Sequence, residues 1–521
     1  MTARSVTLRG ATYPLVLPSI RDPRLHVAAV IITVHVLGQV WLGFRVSVPQ
    51  ILAAIVTCAV IEIAITFRQS RAFVWPASAM LTGSGVALIL RTVGTPPGEP
   101  WNVDGWYLFA AIAGLSLLSK YVIRYRGTHV FNPSNIGLVA AFVVLGSSRI
   151  EPLDFWWAPL NAPMLLAYAV IIVGGMLITR RLKLLALAVA FWVTLAAGIG
   201  ILAASGHCMV ANWAFAPVCG ADFWRVIVTS PEVLVFLFFM ITDPKTVPAG
   251  RVARIAFGIT VGVMSTLLMA PQADEFGAKV ALLSGLVIVC AARPLLDRFL
   301  PEPGSPRDDI RAILGGTGSP RTVAGRAGGG ALAVVLGAAA VVAAGTPSRG
   351  TVLPESLEAL NRPAPVVDPT TLPPIAIEQE VIDFDHERAG EGMNEVVVAL
   401  AQDLALETRA LLERDGALLV AVDHGDRLEE MRGRLEEARA SGLTTVQHYT
   451  FDAIHVSLLI PFGVQTGLSL GLTGTGTVVV ERYDAQGAVV GSDTQTFNLT
   501  FAMRQATGSR WMLVGVLPPT S

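Results

Sequence analysis

The stretch Ser230–Val247 decides the fold, and it reads Ser-Pro-Glu-Val-Leu-Val-Phe-Leu-Phe-Phe-Met-Ile-Thr-Asp-Pro-Lys-Thr-Val. Its apolar run ends abruptly in an aspartate, a proline and a lysine. Asp243 can accept hydrogen bonds from freed backbone N–H groups, and Pro244 stops a helix. The stretch therefore predicts a membrane helix that is capped or broken at this point.

Two further stretches place polar residues inside or at the mouth of apolar runs. The first is Asn132-Pro133-Ser134-Asn135, which opens a run of apolar residues. The second is Thr82-Gly83-Ser84-Gly85, a turn-forming sequence within another run. Backbone groups at a broken helix end cannot stay unpaired in lipid, so we expect these ends to face one another, a cavity or a ligand. The alternative is that each motif caps its own helix and shares no space with the others.

Composition identifies the broad class. Hydrophobic residues make up 53% of the 521 residues and charged residues only 15%, whereas soluble domains carry about 25% charged residues. We therefore predict a polytopic membrane protein with a soluble part attached. The net charge of −1 implies no nucleic-acid partner. The four cysteines lack metal-binding spacing, so we predict no metal site.

Basic residues predict the topology. Ten apolar runs lie between residues 25 and 292, and arginine and lysine concentrate in every second loop. This alternation places the N-terminus in the cytoplasm of a multi-pass plasma-membrane protein. Ten runs divide into two halves of five, and an odd number per half gives inverted repeats, as in many transporters. An eleventh helix, nearly all Ala, Val and Gly, would carry the C-terminal domain to the outside.

The predicted fold is mainly α, a helix bundle with a C-terminal α+β domain. Helical spacing precedes a switch to period two after residue 440, which favours helices packed on an antiparallel sheet, similar in layout to NTF2-like or cystatin-like modules. The predicted segments are a cytoplasmic tail (1–24), a membrane domain (25–298), a cytoplasmic linker (299–328), the eleventh helix (329–345), a Pro-rich linker (346–380) and the extracytoplasmic domain (381–521).

Three residues outside the motifs carry separate predictions. Glu62 lies within the second apolar run, where a carboxylate is costly and by default indicates a proton or cation path. The alternative interpretation is that Glu62 is a structural residue, protonated or hydrogen-bonded, near the cytoplasmic end of this helix and close to Arg68. Cys208 and Cys219 lie in an outer loop, where two nearby cysteines can form a disulfide.

Together, Phe131-Asn132-Pro133, Thr242-Asp243-Pro244 and the Thr82–Gly85 turn resemble the RnfD/NqrB family of membrane subunits, over residues 25 to 298. The nearest resemblance is to the RnfD-like UnbU proteins of enediyne biosynthesis loci. The family belongs to ion-translocating, flavin-dependent electron-transport complexes. Independently of the resemblance, the broken helix ends predict a ligand cavity formed by Thr82, Gly83, Ser84, Asn132, Pro133, Ser134, Asn135, Thr242, Asp243 and Lys245. Glu62 and Asp243 are predicted to lie on an ion path.

The resemblance also guides the expected cofactor and partners. The family usually carries FMN esterified to threonine in a Ser-Gly-Ala-Thr-like signature, which this sequence lacks. We therefore expect a non-covalent flavin (FMN or riboflavin) or a quinone. Expected partners are membrane lipid and either other electron-transport subunits or a second copy of the chain.

Two other functions stay open at this stage. The same fold could serve a transporter that moves a small molecule or metabolite, because discontinuous helices also mark transport sites. The chain could also be a scaffold for a membrane-bound biosynthetic complex. The sequence shows no complete catalytic constellation, so whether this chain is an enzyme is open.

Overall fold

The computed structural model describes residues 4–8, 10–42, 44–92, 95, 100–147, 149–153, 162–209, 211, 218–298, 303–305, 308, 334–346, 365–384, 386–459, 469–505 and 511–519. Most of the linker predicted at 299–328 lies outside these residues. The chain divides into two compact units, which we describe separately. Unit 1 comprises 1–209 and 219–349, and unit 2 comprises 210–218 and 350–521.

Unit 1 is a helix bundle. Its helices are α1 (Pro23–Val40), α2 (Val48–Ser70), α3 (Ala77–Ile89), α4 (Trp106–Val122), α5 (Pro133–Leu145), α6 (Ala162–Arg181), α7 (Leu185–Ala204), α8 (Gly220–Thr229), α9 (Pro231–Val235), α10 (Arg251–Met269), α11 (Glu275–Ala291), α12 (Arg293–Leu296) and α13 (Val334–Ala344). Its strands are β1 (Arg4–Leu8), β2 (Ala11–Val16), β3 (Phe73–Val74), β4 (Leu90–Thr92), β5 (Arg124–Tyr125), β6 (Thr128–His129), β7 (Ile150–Pro152), β8 (Cys208–Met209) and β9 (Val218–Cys219).

Within the described residues, six helical segments are long and apolar enough to cross a membrane. They are α1, α2, Met164–Arg181 of α6, α7, the interrupted segment Gly220–Met240 and α10. Four apolar helices, α3, α4, α5 and α13, are shorter than a full span. The membrane-protein class is therefore supported, whereas the count of ten spanning helices is not established.

The eighth apolar run is not one continuous helix. Ser230 ends α8 and caps α9, because its side chain accepts a hydrogen bond from the Val233 N–H at 3.1 Å. Pro231 occupies the first turn of α9, where its missing N–H costs nothing. Phe236–Met240 then forms a π-helical turn. Such turns are rare and often occur at functional sites.

The N-terminal segment predicted as a tail contains ordered structure. Strands β1 and β2 pair as an antiparallel hairpin, and β2 pairs in parallel with β3 after the second helix. The ring centroids of Tyr13 and Phe67 are 5.2 Å apart, and those of Phe67 and Phe73 are 4.9 Å apart. These aromatic contacts hold the small sheet against the end of α2.

The two cysteines predicted to pair, Cys208 and Cys219, are joined in the structure. The sulfur atoms of Cys208 and Cys219 are 1.97 Å apart, and their Cα atoms are 4.3 Å apart. The other two cysteines, Cys58 and Cys290, are buried free thiols within helices.

Unit 2 combines helices with a five-stranded sheet. The helices are α14 (Gln379–Phe384), α15 (Asn394–Glu413), α16 (Gly416–Val420) and α17 (Asp426–Ser441). The strands, in sheet order, are β10 (Ile375–Ile377), β11 (Thr444–Leu458), β12 (Ser469–Tyr483), β13 (Val489–Gln505) and β14 (Trp511–Leu517). All neighbours are antiparallel except β10 and β11.

The predicted succession of helices and then strands is present in unit 2. One core joins Val396 and Leu400 of α15 to Phe501 of β13 and Trp511 of β14. One difference lies at the domain edge. Strand β10 belongs to the sheet although it falls within the predicted Pro-rich linker (346–380). The sequence did not predict it because three residues directly after Pro373-Pro374 give too short a pattern to detect.

Candidate functional site

A cavity of about 540 Å³ lies within unit 1. Its apolar walls come from the beginnings of α1, the length of α3, the end of α6 and the π-helical turn. Its lining also includes polar and charged residues from several of these elements. Seven of the ten residues predicted to bind a cofactor line it, namely Thr82, Asn132, Pro133, Ser134, Thr242, Asp243 and Lys245. The three motifs therefore share one space in the structure.

Asn132 connects the two broken elements. Its Oδ1 caps α5 by accepting a hydrogen bond from the Asn135 N–H at 3.3 Å, and it also accepts one from the Ser134 hydroxyl at 2.8 Å. Its Nδ2 donates to the Met240 carbonyl at 3.1 Å. Met240 is the last residue of the π-helical turn. Its carbonyl, which lies at an irregular helix end, is therefore hydrogen-bonded by Asn132 from the other half of the membrane domain.

Asp243 has a partner that the sequence did not reveal. Its Oδ2 lies 2.9 Å from the Nε2 of His129, and its Oδ1 accepts a hydrogen bond from the Lys245 N–H at 3.0 Å. Both His129 and Asp243 line the cavity. The only sequence signal was that His129 stands three residues before Asn132, at the entrance to the same motif.

The mouth of the cavity carries opposite charges. Asp22 and Arg24 form a bidentate ion pair, with Nη2 to Oδ2 at 2.6 Å and Nε to Oδ1 at 3.0 Å. The hydrogen bonds from the Arg24 guanidinium lower the pKa of the Asp22 carboxyl, which keeps it ionised. Asp243 and Lys245 add one negative and one positive side chain to the lining, although among the hydrogen bonds described Lys245 contacts Asp243 only through its backbone N–H.

Three of the predicted site residues do not line the cavity. Gly83 packs against the backbone of α2, where a Cβ would lie 2.5 Å from the Ala54 carbonyl oxygen. The backbone carbonyl of Ser84 lies 3.4 Å from the Nε2 of buried His35. Asn135 donates from Nδ2 to the Leu283 carbonyl at 3.0 Å, which ties α5 to α11. Their roles in the structure are in helix packing.

Glu62 lies outside the cavity lining and pairs with Lys120 rather than with Arg68. The Lys120 Nζ is 3.1 Å from Oε1 and 3.2 Å from Oε2 of Glu62, and the Tyr121 hydroxyl donates to the same carboxylate. Both charged side chains are 12% exposed. Lys120 also lies 3.4 Å from the hydroxyl of Ser78, which lines the cavity. The ion pair is thus one side chain away from the cavity.

A second group of buried charges lies on β4, β7, α9 and α11. Arg91 in β4 pairs with Glu151 in β7 at 3.0 Å. On α11, Lys279 lies 2.7 Å from Glu275 and 3.5 Å from Glu232 at the beginning of α9. These side chains are all about nine-tenths buried. Buried charges of this kind persist only when paired, as here.

The arrangement suits a molecule with an apolar, planar body and a polar edge. Phe238 and Phe239 offer aromatic surface, while Asn132, His129 and Asp243 offer donors and acceptors. Within the part of the chain that the structure describes, no group of three or more His, Cys, Asp or Glu side chains is arranged to hold a metal ion.

Comparisons with known proteins give no further guide. No family model matches the chain, and a search of curated proteins found no significant match.

Proposed function

We propose that this protein is an integral membrane subunit of the RnfD/NqrB type. In this proposal the cavity holds a non-covalent flavin or a quinone that passes electrons within the membrane. The observation that carries the proposal is the convergence of two proline-broken helix ends, at Asn132 and Asp243, on one largely apolar cavity. Irregular backbone at membrane depth is tolerated where it lines such a site.

Helix packing supports the proposed inverted repeats. In the first half, α2 packs on α4, and α4 packs on α5. In the second half, α7 packs on α10, and α10 packs on α11. The halves meet through their first helices, α1 and α6, and through their last, α5 and α11. Counted as the ten apolar runs, with α8, α9 and the π-helical turn together as the eighth, each contact in the first half corresponds to one between runs five places later in the second half. Two structural repeats produce this pattern.

Ion coupling is the finer part of the proposal. Lys120 sits between Glu62 and Ser78, so a charge change in the cavity would be felt by the ion pair. Charges interact strongly at such distances in a low-dielectric interior. Asp243 completes the path at the mouth of the cavity.

The test is ligand occupancy in protein purified in mild detergent. Absorbance and extraction should reveal a flavin or a quinone in the wild type. Asp243→Asn removes the charge beside His129, and Asn132→Ala removes the link to Met240. A hydrogen bond to a charged group contributes about 1.5–3 kcal/mol, so Asp243→Asn should lower ligand affinity by roughly tenfold or more. The Asn132 bond to Met240 is neutral and contributes about 0.5–1.5 kcal/mol, so Asn132→Ala should lower affinity by roughly two- to tenfold.

A matched control is Asp222→Asn, since Asp222 is 70% exposed and pairs only with Arg225 on its own helix among the ion pairs described. This variant should keep wild-type occupancy. Normal occupancy in both cavity variants would contradict the site assignment. Colourless wild-type protein without extractable quinone would contradict the redox function.

A transporter is the second candidate. The observation that favours it is the same pair of broken helices between two repeats, which in transporters surrounds the substrate. Protein without a chromophore that moves a solute into vesicles would select this function. Loss of that movement in Asp243→Asn would show that the same cavity serves it.

The proposed orientation predicts the location of reporter fusions. We place the N-terminus in the cytoplasm and unit 2 outside, because the basic residues alternate between loops. A periplasmic-type reporter fused after Ser521 should therefore be active, and one inserted near Gly315 should be inactive. A cytoplasmic reporter at the same positions should give the opposite result. The reverse pattern would contradict the eleven-helix topology.

A further inference from the structure

An apolar groove of about 460 Å³ lies on unit 1, apart from the cavity described above. One wall is the small N-terminal sheet, with Val6 and Leu15 facing the groove. The other wall comes from Ala59 and Ile63 of α2 and from Met80 of α3. Every residue that lines it is apolar or aromatic. A groove of this composition excludes a polar ligand.

The groove is continuous with surface that faces lipid. Val56 and Val60, on α2 next to the groove, are 55% and 60% exposed although α2 is one of the membrane-length helices. Exposed apolar side chains at this position are explained by contact with acyl chains. Trp75 lines the groove and is 46% exposed. Tryptophan prefers the headgroup level of a bilayer, which places the groove at the membrane interface.

Positive charge follows the groove along α2. Ala59, Ile63 and Phe67 recur at four-residue intervals, so they form one stripe on the surface of α2. The first two line the groove, Phe67 packs against the sheet, and Arg71, the left-handed residue that ends α2, is exposed directly after the last turn. Arg68 is also exposed, three residues before Arg71. Basic residues at the end of a membrane helix attract anionic lipid headgroups.

We propose that this groove is a binding site for one anionic phospholipid. An acyl chain lies between the N-terminal sheet and α2, and the phosphate faces Arg71 and Arg68. The proposal does not depend on the function of the cavity. It explains why β1 and β2 form a sheet against the membrane helices, since this sheet supplies one of the groove's two apolar walls.

The test is lipid binding by the full-length protein after delipidation in detergent, with native mass spectrometry. Phosphatidylglycerol should bind at one site, at least tenfold more tightly than phosphatidylcholine. Ala59→Trp fills the groove and should lower the affinity for phosphatidylglycerol at least tenfold. Val60→Trp places the same side chain one residue away on the exposed face and should leave binding unchanged. Arg71→Gln should lower the affinity for phosphatidylglycerol and leave the affinity for phosphatidylcholine unchanged.

A second measurement needs no bulky substitution. Phosphatidylglycerol with brominated acyl chains should quench tryptophan fluorescence, and Trp75→Phe should remove the saturable part of that quenching. Equal binding by the two tryptophan variants, with quenching unchanged in Trp75→Phe, would overturn the acyl-chain site. Equal affinity for the two lipids, unaltered in Arg71→Gln, would overturn the selectivity for anionic headgroups.

Discussion

Gly83→Ala should prevent stable assembly of the membrane domain. A Cβ at this position would lie 2.5 Å from the Ala54 carbonyl oxygen and 2.8 Å from the Cα of Ile55. Both are backbone atoms of α2, so no side-chain rotation can relieve the clash, and the two helices must separate. Overpacking of this kind costs about 1–3 kcal/mol or more. Thermal unfolding in detergent should show a large loss of stability, and gel filtration should show aggregated protein.

Gly85→Ala is the matched control for this prediction. A Cβ there would meet the Ser134 hydroxyl oxygen at 3.2 Å, and a hydroxyl can rotate away. Its unfolding temperature should stay near that of the wild type. The comparison also separates packing from ligand binding. If Gly83 were needed for the ligand instead, Gly83→Ala would lose occupancy while keeping wild-type stability, and this result would contradict the packing role.

The Gly83 result illustrates what the sequence could predict about the site. Short motifs in apolar runs indicated which helices are irregular, and seven of the ten proposed residues do line one cavity. The sequence could not separate residues that face the cavity from neighbours that face a helix. Ser134 and Asn135 are adjacent, yet one lines the cavity and the other bonds to the Leu283 carbonyl. That distinction depends on helix rotation, which is a tertiary property.

The sequence also did not predict which charged residues pair when they lie far apart in the chain. The sequence predicted a functional role for Glu62 within an apolar run, but it did not predict the partner Lys120, which lies 58 residues later. His129 and Asp243 are 114 residues apart. Charge alternation predicts on which side of the membrane each loop lies, whereas it does not predict which helices are in contact. The sequence did not predict the break at Ser230 between α8 and α9. The apolar run continues past Ser230-Pro231, and proline is compatible with the first turn of a helix.

Unit 2 contains a buried charge cluster that no sequence pattern indicated. Arg427 makes a bidentate ion pair with Glu407, in which both N···O distances are 2.6 Å, and it also pairs with Glu430 at 2.8 Å. Asp423 and Asp403 lie beside this pair and are each 1% exposed. Removing one partner of a buried pair leaves an uncompensated charge, at a cost of about 3–5 kcal/mol. Arg427→Met should therefore destabilise unit 2 severely.

The pKa of Asp423 lies well above its usual range. Burial is the main cause, and the neighbouring carboxylate of Glu407 adds to it, while Arg427 acts in the opposite direction. Because the folded state holds this proton more tightly than the unfolded chain, its stabilisation is complete below the usual aspartate pKa. The stabilisation is lost as pH rises toward the elevated pKa. Unit 2 should accordingly become less stable from acidic to neutral pH.

Asp423→Asn should abolish this pH dependence. A neutral amide resembles the protonated carboxyl and cannot ionise. The free energy of unfolding of unit 2 in this variant should therefore be the same at neutral pH as at acidic pH. Hydrogen exchange of the full-length protein in detergent, corrected for intrinsic rates, can follow the peptides from α15 and β14. One proton changes the free energy of unfolding by at most about 1.4 kcal/mol per pH unit, so wild-type protection should fall by up to roughly tenfold per unit.

Asp493→Asn is the control, because Asp493 is exposed on β13 and should leave the wild-type pH profile intact. Glu407→Gln separates the causes further. It removes a negative charge that raises the pKa of Asp423, so ionisation of this carboxyl becomes easier and any remaining pH dependence should shift to lower pH. A pH-independent wild type, or an unchanged slope in Asp423→Asn, would show that Asp423 is not the group that holds the proton.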